Sequence, residues 1–145
     1  MKKFISVIVA VLAFAAVASA QPRAIGACIG WGVDVSYEHT LGGANFLEAN
    51  LGITGFQFLD IHASYNFVFA SPNWTASGEW NAYVGPSLGF VGYSGGVRFA
   101  AGAVIGLEYT FHFPLMLSFD LRPEARIGSG GGFSCLPALG IRYRF

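Results

Sequence analysis

The residues able to do chemistry are few and regularly spaced. Asp60, His62 and Ser64 stand at every second position. On an extended chain that spacing puts all three side chains on one face. An acid, an imidazole and a hydroxyl are the ingredients of a nucleophilic hydrolase. His39 and His112 have no ligand spacing with His62, so no metal site is expected. The other candidates are charges: Asp34, Glu38, Glu48, Asp60, Glu108, Asp120 and Glu124 against Arg98, Arg122, Arg126, Arg142 and Arg144. Brought together out of water, such groups must pair or stay hydrated. They could form a salt-bridge network, or line a path for ions or protons.

The elements that would position these residues are strands. Ile25, Ala27, Ile29, Trp31, Val33, Val35 and Tyr37 alternate with Gly26, Cys28, Gly30, Gly32, Asp34, Ser36 and Glu38. Two-residue periodicity of this kind marks a two-faced strand. It recurs in Leu47 to Ile53 around Glu48, in Leu59 to Phe69 around Asp60 and His62, and in Trp80 to Phe90 around Tyr83 and Ser87. It continues in Val97 to Tyr109 around Arg98 and Glu108, in Leu115 to Ala125 around Asp120 and Arg122, and in Phe133 to Phe145 around Arg142 and Arg144. Beyond residue 20, every charged residue except Arg23 has the parity of the Gly and Ser residues, with Glu79 placed at a rim.

Composition supplies the solvent. Hydrophobic residues make up 54% and charged residues 11%, where a soluble domain carries roughly 25% charge. Formal net charge is zero, so no basic patch for nucleic acid can be assembled and none is expected as a partner. Lys2 and Lys3, the apolar run 4–18 and the small residues Ala18-Ser19-Ala20 together form a secretory leader, with cleavage after residue 20. The run is short of the roughly 20 residues that span a bilayer. The remaining segment, 21–145, has six Arg, eight Asp and Glu, and no Lys. Its best apolar window, 97–107, contains Arg98 and is too short for a transmembrane helix. An exported, lysine-free, hydrophobic chain without a spanning helix points to a closed β-barrel in a membrane, because only helices and closed barrels satisfy every backbone group in lipid.

Volume sets the facing. A barrel of about eight strands is just wide enough inside to be filled by side chains. It cannot hold all the Trp, Phe, Tyr, Leu and Ile residues, so the small and polar set points inward and the bulky apolar set outward, the outer-membrane pattern. A soluble lipocalin-like barrel has the opposite facing and would need the Lys-rich exterior that is missing. Turns read at 40–44, 54–57, 70–78, 91–96, 111–114 and 128–132 give seven strands. Bacterial single-chain barrels have an even number. The first alternating run is longer than a spanning strand and carries Gly30-Trp31-Gly32 near its middle. Splitting it there gives eight; the alternative is one long strand projecting beyond the membrane and an unread strand elsewhere. The expected fold is an all-β, antiparallel, up-and-down, eight-stranded transmembrane barrel at 21–145 behind a leader at 1–20.

The segment Leu139-Gly140-Ile141-Arg142-Tyr143-Arg144-Phe145 resembles the terminal strand of bacterial outer-membrane barrels. Gly106-Leu107-Glu108-Tyr109-Thr110-Phe111-His112-Phe113-Pro114-Leu115 and Trp80-Asn81-Ala82-Tyr83-Val84-Gly85-Pro86 are similar to stretches of small OmpA/OmpX-like barrels of Bacteroidetes-type bacteria. The resemblance covers 21–145 and implies an outer-membrane location. It also implies that Ile141, Tyr143 and Phe145 are an assembly signal read by the barrel-assembly machinery. It is specific for architecture and not for activity, since such barrels include adhesins, structural anchors and lipid-modifying enzymes. No peptidoglycan-binding domain is expected after Phe145.

The functional expectation is a structural or interaction barrel with a plugged polar interior, a monomer whose partners are outer-membrane lipids. A narrow pore and a lipid-A-modifying enzyme are the alternatives. Short loops weaken an adhesin reading. Catalysis is not expected, because lipid A deacylases act on the lipid-facing side while His62 and Ser64 have inward parity, and no G-x-S-x-G elbow is expected. No cofactor is expected. Cys28 has inward and Cys135 outward parity, so they should not bridge although their strands neighbour each other on closure. Ile25-Gly26-Ala27-Cys28 is only faintly like a lipobox, and Pro22 and Arg23 separate it from the apolar run. Aromatic residues, among them Phe67, Trp74, Trp80, Tyr109, Phe113, Tyr143, Trp31, Phe90 and Phe133, gather near strand ends, as two interfacial girdles require.

Overall fold

The structure is a computed structural model that describes residues 23–41, 43–55, 57–128 and 130–145; the expected leader, 1–20, lies outside them. The described chain forms eight strands: β1 Arg23–Ile29, β2 Gly32–Thr40, β3 Phe46–Thr54, β4 Phe58–Ala70, β5 Gly78–Tyr93, β6 Gly96–Phe111, β7 Leu115–Ile127 and β8 Gly132–Arg144. Each pairs antiparallel with its sequence neighbours, and β1 pairs with β8 to close the barrel. The seam is completed at the termini, where Arg23 N–H donates to Phe145 O at 3.1 Å and Phe145 N–H to Arg23 O at 2.8 Å.

The first alternating run divides where the sequence suggested. β1 and β2 meet through Gly30 and Trp31, a turn pinned by Gly30 N–H donating to Gly32 O at 3.0 Å. One expected turn was too wide. Residues 91–93 and 96 belong to strands, with Tyr93 opposite Gly96, and only Ser94 and Gly95 connect them. Gly92 and Gly96 read as turn residues, yet their backbones remain in the ladder. At the β3–β4 turn Gly55 has φ of 57°, a left-handed conformation that a side chain disfavours.

Facing follows parity on every strand. Ile29, Val35, Leu51, Phe90, Ile105 and Leu139 all point outward, each 44–59% exposed. The alternate positions Ser36, Glu48, Ser64, Ser118, Asp120 and Arg142 are buried in the lumen. Volume alone was too strict a guide: Phe46, Tyr83 and Val104 also face inward and pack together with Val68. They fit because an inward glycine stands beside them. Tyr83 is directly opposite Gly106, where a Cβ would meet the Tyr83 ring and the Asp120 carboxylate.

The barrel has two ends. The near end holds Arg23, Phe145 and the connections 41–45, 71–77 and 112–114. The far end holds the turns 30–31, 55–57, 94–95 and 128–131. Near the first end Trp74, Trp80, Tyr109, Phe111 and Phe113 form a ladder of rings with successive centroids 4.6–5.3 Å apart. Towards the far end Phe90 and Phe99 make an edge contact at 5.6 Å.

Candidate functional site

The site is the lumen itself. Its centre is Arg142, which enters from β8 and touches side chains of four other strands. Its Nε donates to Ser36 Oγ and its Nη1 to Ser118 Oγ, each at 2.8 Å. Nη2 donates to Glu48 Oε1 at 2.7 Å and to Cys28 Sγ at 3.3 Å. Glu38 Oε1 lies 2.9 Å from Nη1, a charge contact off the line of a hydrogen bond. Glu38 and Glu48 stand directly opposite each other on β2 and β3, an arrangement that repels unless a cation bridges it. Arg142 is that bridge. Gly140 makes room for it, since a Cβ there would meet Ser118 Oγ and Arg142 Nη1.

Arg122 extends the cluster. Its Nη2 lies 3.1 Å from Asp120 Oδ2 and 3.3 Å from Glu48 Oε1, and its Nη1 is 3.9 Å from Asp34 Oδ2. Asp120 also accepts a hydrogen bond from the Tyr83 hydroxyl. Six of the expected charges therefore meet in one network: Asp34, Glu38, Glu48, Asp120, Arg122 and Arg142.

A second group lies nearer the far end. The two ring nitrogens of His62 face two carboxylates, Nδ1 towards Asp60 and Nε2 towards Glu124 at 3.0 Å. Asp60 also accepts from Thr54 Oγ1. Arg126 closes on Glu124, with Nε and Nη2 both 2.9 Å from Oε1. Glu108 borders the Arg142 group, within reach of the charges of Arg142 and Glu48. Glu108 accepts from Asn81 Nδ2 at 3.4 Å rather than from an arginine. The Arg144 backbone N–H donates to Pro114 O near the termini. Arg98 lies at the far rim, its guanidinium 3.9 Å above the Tyr93 ring.

The hydrolase ingredients do not assemble. His62 is held by Asp60 and Glu124, and Ser64 accepts a hydrogen bond from Asn66 instead. The letters G-x-S-x-G do occur, at Gly85-Pro86-Ser87-Leu88-Gly89 and Gly92-Tyr93-Ser94-Gly95-Gly96. Ser87 lies within β5 facing the lumen and Ser94 lies in a hairpin turn. Neither is the strand-to-helix turn that exposes a nucleophile. Cys28 is buried and Cys135 exposed, on opposite faces as their parity implied.

Sequence reading left the packing role of Tyr83 and Phe46 out of the site. Their rings meet edge to face at 5.0 Å and fill the lumen beside Asp120. Tyr83 was read with the inward set, while Phe46, at the edge of its strand, was given no face. Ile141, Tyr143 and Phe145 all point outward at the near end, and the rings of Tyr143 and Phe145 stack at 6.3 Å.

The class of protein that this geometry defines is a closed, eight-stranded antiparallel barrel with a charged and largely filled lumen. Comparison with protein-family models, with curated proteins and with solved structures gives no match.

Proposed function

We propose that this chain is an integral outer-membrane barrel, exported by the leader 1–20, with a structural or interaction role and a plugged lumen. The observation that carries this reading is the outward face. Large apolar side chains such as Ile29, Val35, Leu51, Leu88, Ile105, Phe119 and Leu139 are exposed on strand after strand around the closed barrel. Monomeric soluble proteins rarely expose contiguous apolar patches beyond a few hundred Å². Arg142 spanning the lumen, together with the Phe46–Tyr83–Val104 packing, supports a plug over a pore. In this reading Arg23 and Phe145, on the same end of an even-stranded barrel, face the periplasm.

The test is refolding into lipid vesicles followed by electrophoresis in SDS with and without boiling. The expected result is a mobility shift on boiling, because a closed barrel has every strand paired. Identical migration before and after boiling counts against the reading. Within the folded barrel, Ile105→Arg puts charge on the outward face near mid-strand and should cost about 2–4 kcal/mol. Ser77→Arg, in the 71–77 connection, should change stability by less than about 0.5 kcal/mol. Equal tolerance of the two would place the belt in water. Planar-bilayer conductance separates plug from pore. The assembly role of Ile141, Tyr143 and Phe145 has its own test. Deleting Phe145 should lower outer-membrane yield in cells more than it lowers urea resistance of refolded protein; normal yield would remove that role.

A further inference from the structure

The lumen continues up to the far-end turns. It opens into a cavity of about 310 Å³ lined by, among others, Trp31, Thr54, Phe58, Tyr93, Arg98 and Arg126. That volume is at the lower end of the range for small-molecule pockets. The charged residues in its lining are the two arginines. Three acids of the network sit deeper: Glu124 two positions below Arg126, Asp60 two positions below Phe58 with its Oδ2 taken by Thr54, and Asp34 level with Asp60 across Gly52, 3.9 Å from Arg122 Nη1. The Arg98 guanidinium lies 3.9 Å above the Tyr93 ring at the cavity wall, and a guanidinium suits a carboxylate or phosphate. Arg126 engages Glu124 through Nε and Nη2. The walls between the two cations are aromatic: Trp31 from the β1–β2 turn, Phe58 from the start of β4 and Tyr93 from the end of β5.

We propose that this mouth is a binding site for a small aromatic anion, a planar apolar ring bearing a carboxylate or phosphate. The ring would lie against Trp31, Phe58 and Tyr93, and the anionic group would meet Arg98 and Arg126. The proposal deepens the interaction role given above and rests on it, since a mouth of this kind would face the outside of the cell.

The probe is phenyl phosphate, titrated into the refolded full barrel in detergent and followed by NMR. The readouts are the Trp31 indole N–H, assigned by Trp31→Phe, and the Arg98 and Arg126 Nε–H signals. Inorganic phosphate and benzyl alcohol are the anion-only and ring-only controls. The expected result is saturable shifts of all three signals, with both controls binding about tenfold or more weakly. Arg98→Gln and Arg126→Gln should each weaken phenyl phosphate by about tenfold, while both variants keep the boiling-dependent gel shift of a closed barrel. A folded barrel whose three signals do not move at millimolar phenyl phosphate overturns the proposal. So does binding that survives loss of both arginines. A barrel that binds the probe in detergent but never inserts into vesicles would sink the membrane reading and leave the pocket standing.

Discussion

The two halves of one lumen solve the same burial problem differently. In the near half, Arg142 is fully buried and bonds side chains from β1, β2, β3 and β7, while Tyr83 and Phe46 pack beside it. In the far half, Asp60, His62, Glu124 and Arg126 form a linear chain that ends at an open cavity. The arginine side chains show the contrast: Arg142 has no exposed side-chain surface, whereas Arg126 is 24% exposed. A charge removed from water needs several partners held in good geometry, and Arg142 has them. A charge near a water-filled mouth keeps part of its hydration and gains little from one partner. Filling and opening are therefore alternative ways to satisfy inward charge.

This contrast can be broken by removing one group from each half and measuring urea unfolding of refolded protein in vesicles. Arg142→Met should have the largest effect, a loss of about 3–5 kcal/mol, because Glu38 and Glu48 would face each other with their bridge gone. A loss under about 1 kcal/mol would mean that this half is held by packing rather than by charge. Gly106→Ala comes next, at about 1–3 kcal/mol, because the new methyl group displaces Tyr83 from Asp120. An unchanged midpoint would show that the near half has slack. Arg126→Gln should be the mildest, below about 1 kcal/mol. A loss as large as that of Arg142→Met would erase the difference between the halves.

Strand faces were legible because they depend on one local property. Arg142 had to point opposite to Ile141 and Tyr143 whatever the rest of the chain did, since side chains alternate along an extended backbone. The β1–β2 turn was read from the glycines flanking Trp31 and the need for an even strand count, because length alone does not force a turn: β5 and β6 each run 16 residues unbroken. The limits were also local. Gly92 and Gly96 looked like turn residues because composition does not reveal that their backbones stay paired. Tyr83 was read on the inward face, but its packing against Phe46 was not legible, because the space for it comes from Gly106 on the neighbouring strand.

The sequence by itself determined the parity of each charge, the leader-like start and the apolar belt. Each follows from residue order and period alone. Only the tertiary structure decided which charges meet. It joined Arg142 to Ser36, Glu38 and Glu48, which lie far away in sequence, and left Arg98 and Arg144 towards opposite ends of the lumen. It gave His62 to Asp60 and Glu124 rather than to Ser64. The reason is that alternation fixes a side, not a height or a partner across the lumen. Heights and partners come from the stagger of all eight strands at closure, and the strength of each charge contact depends on the distances that this stagger sets.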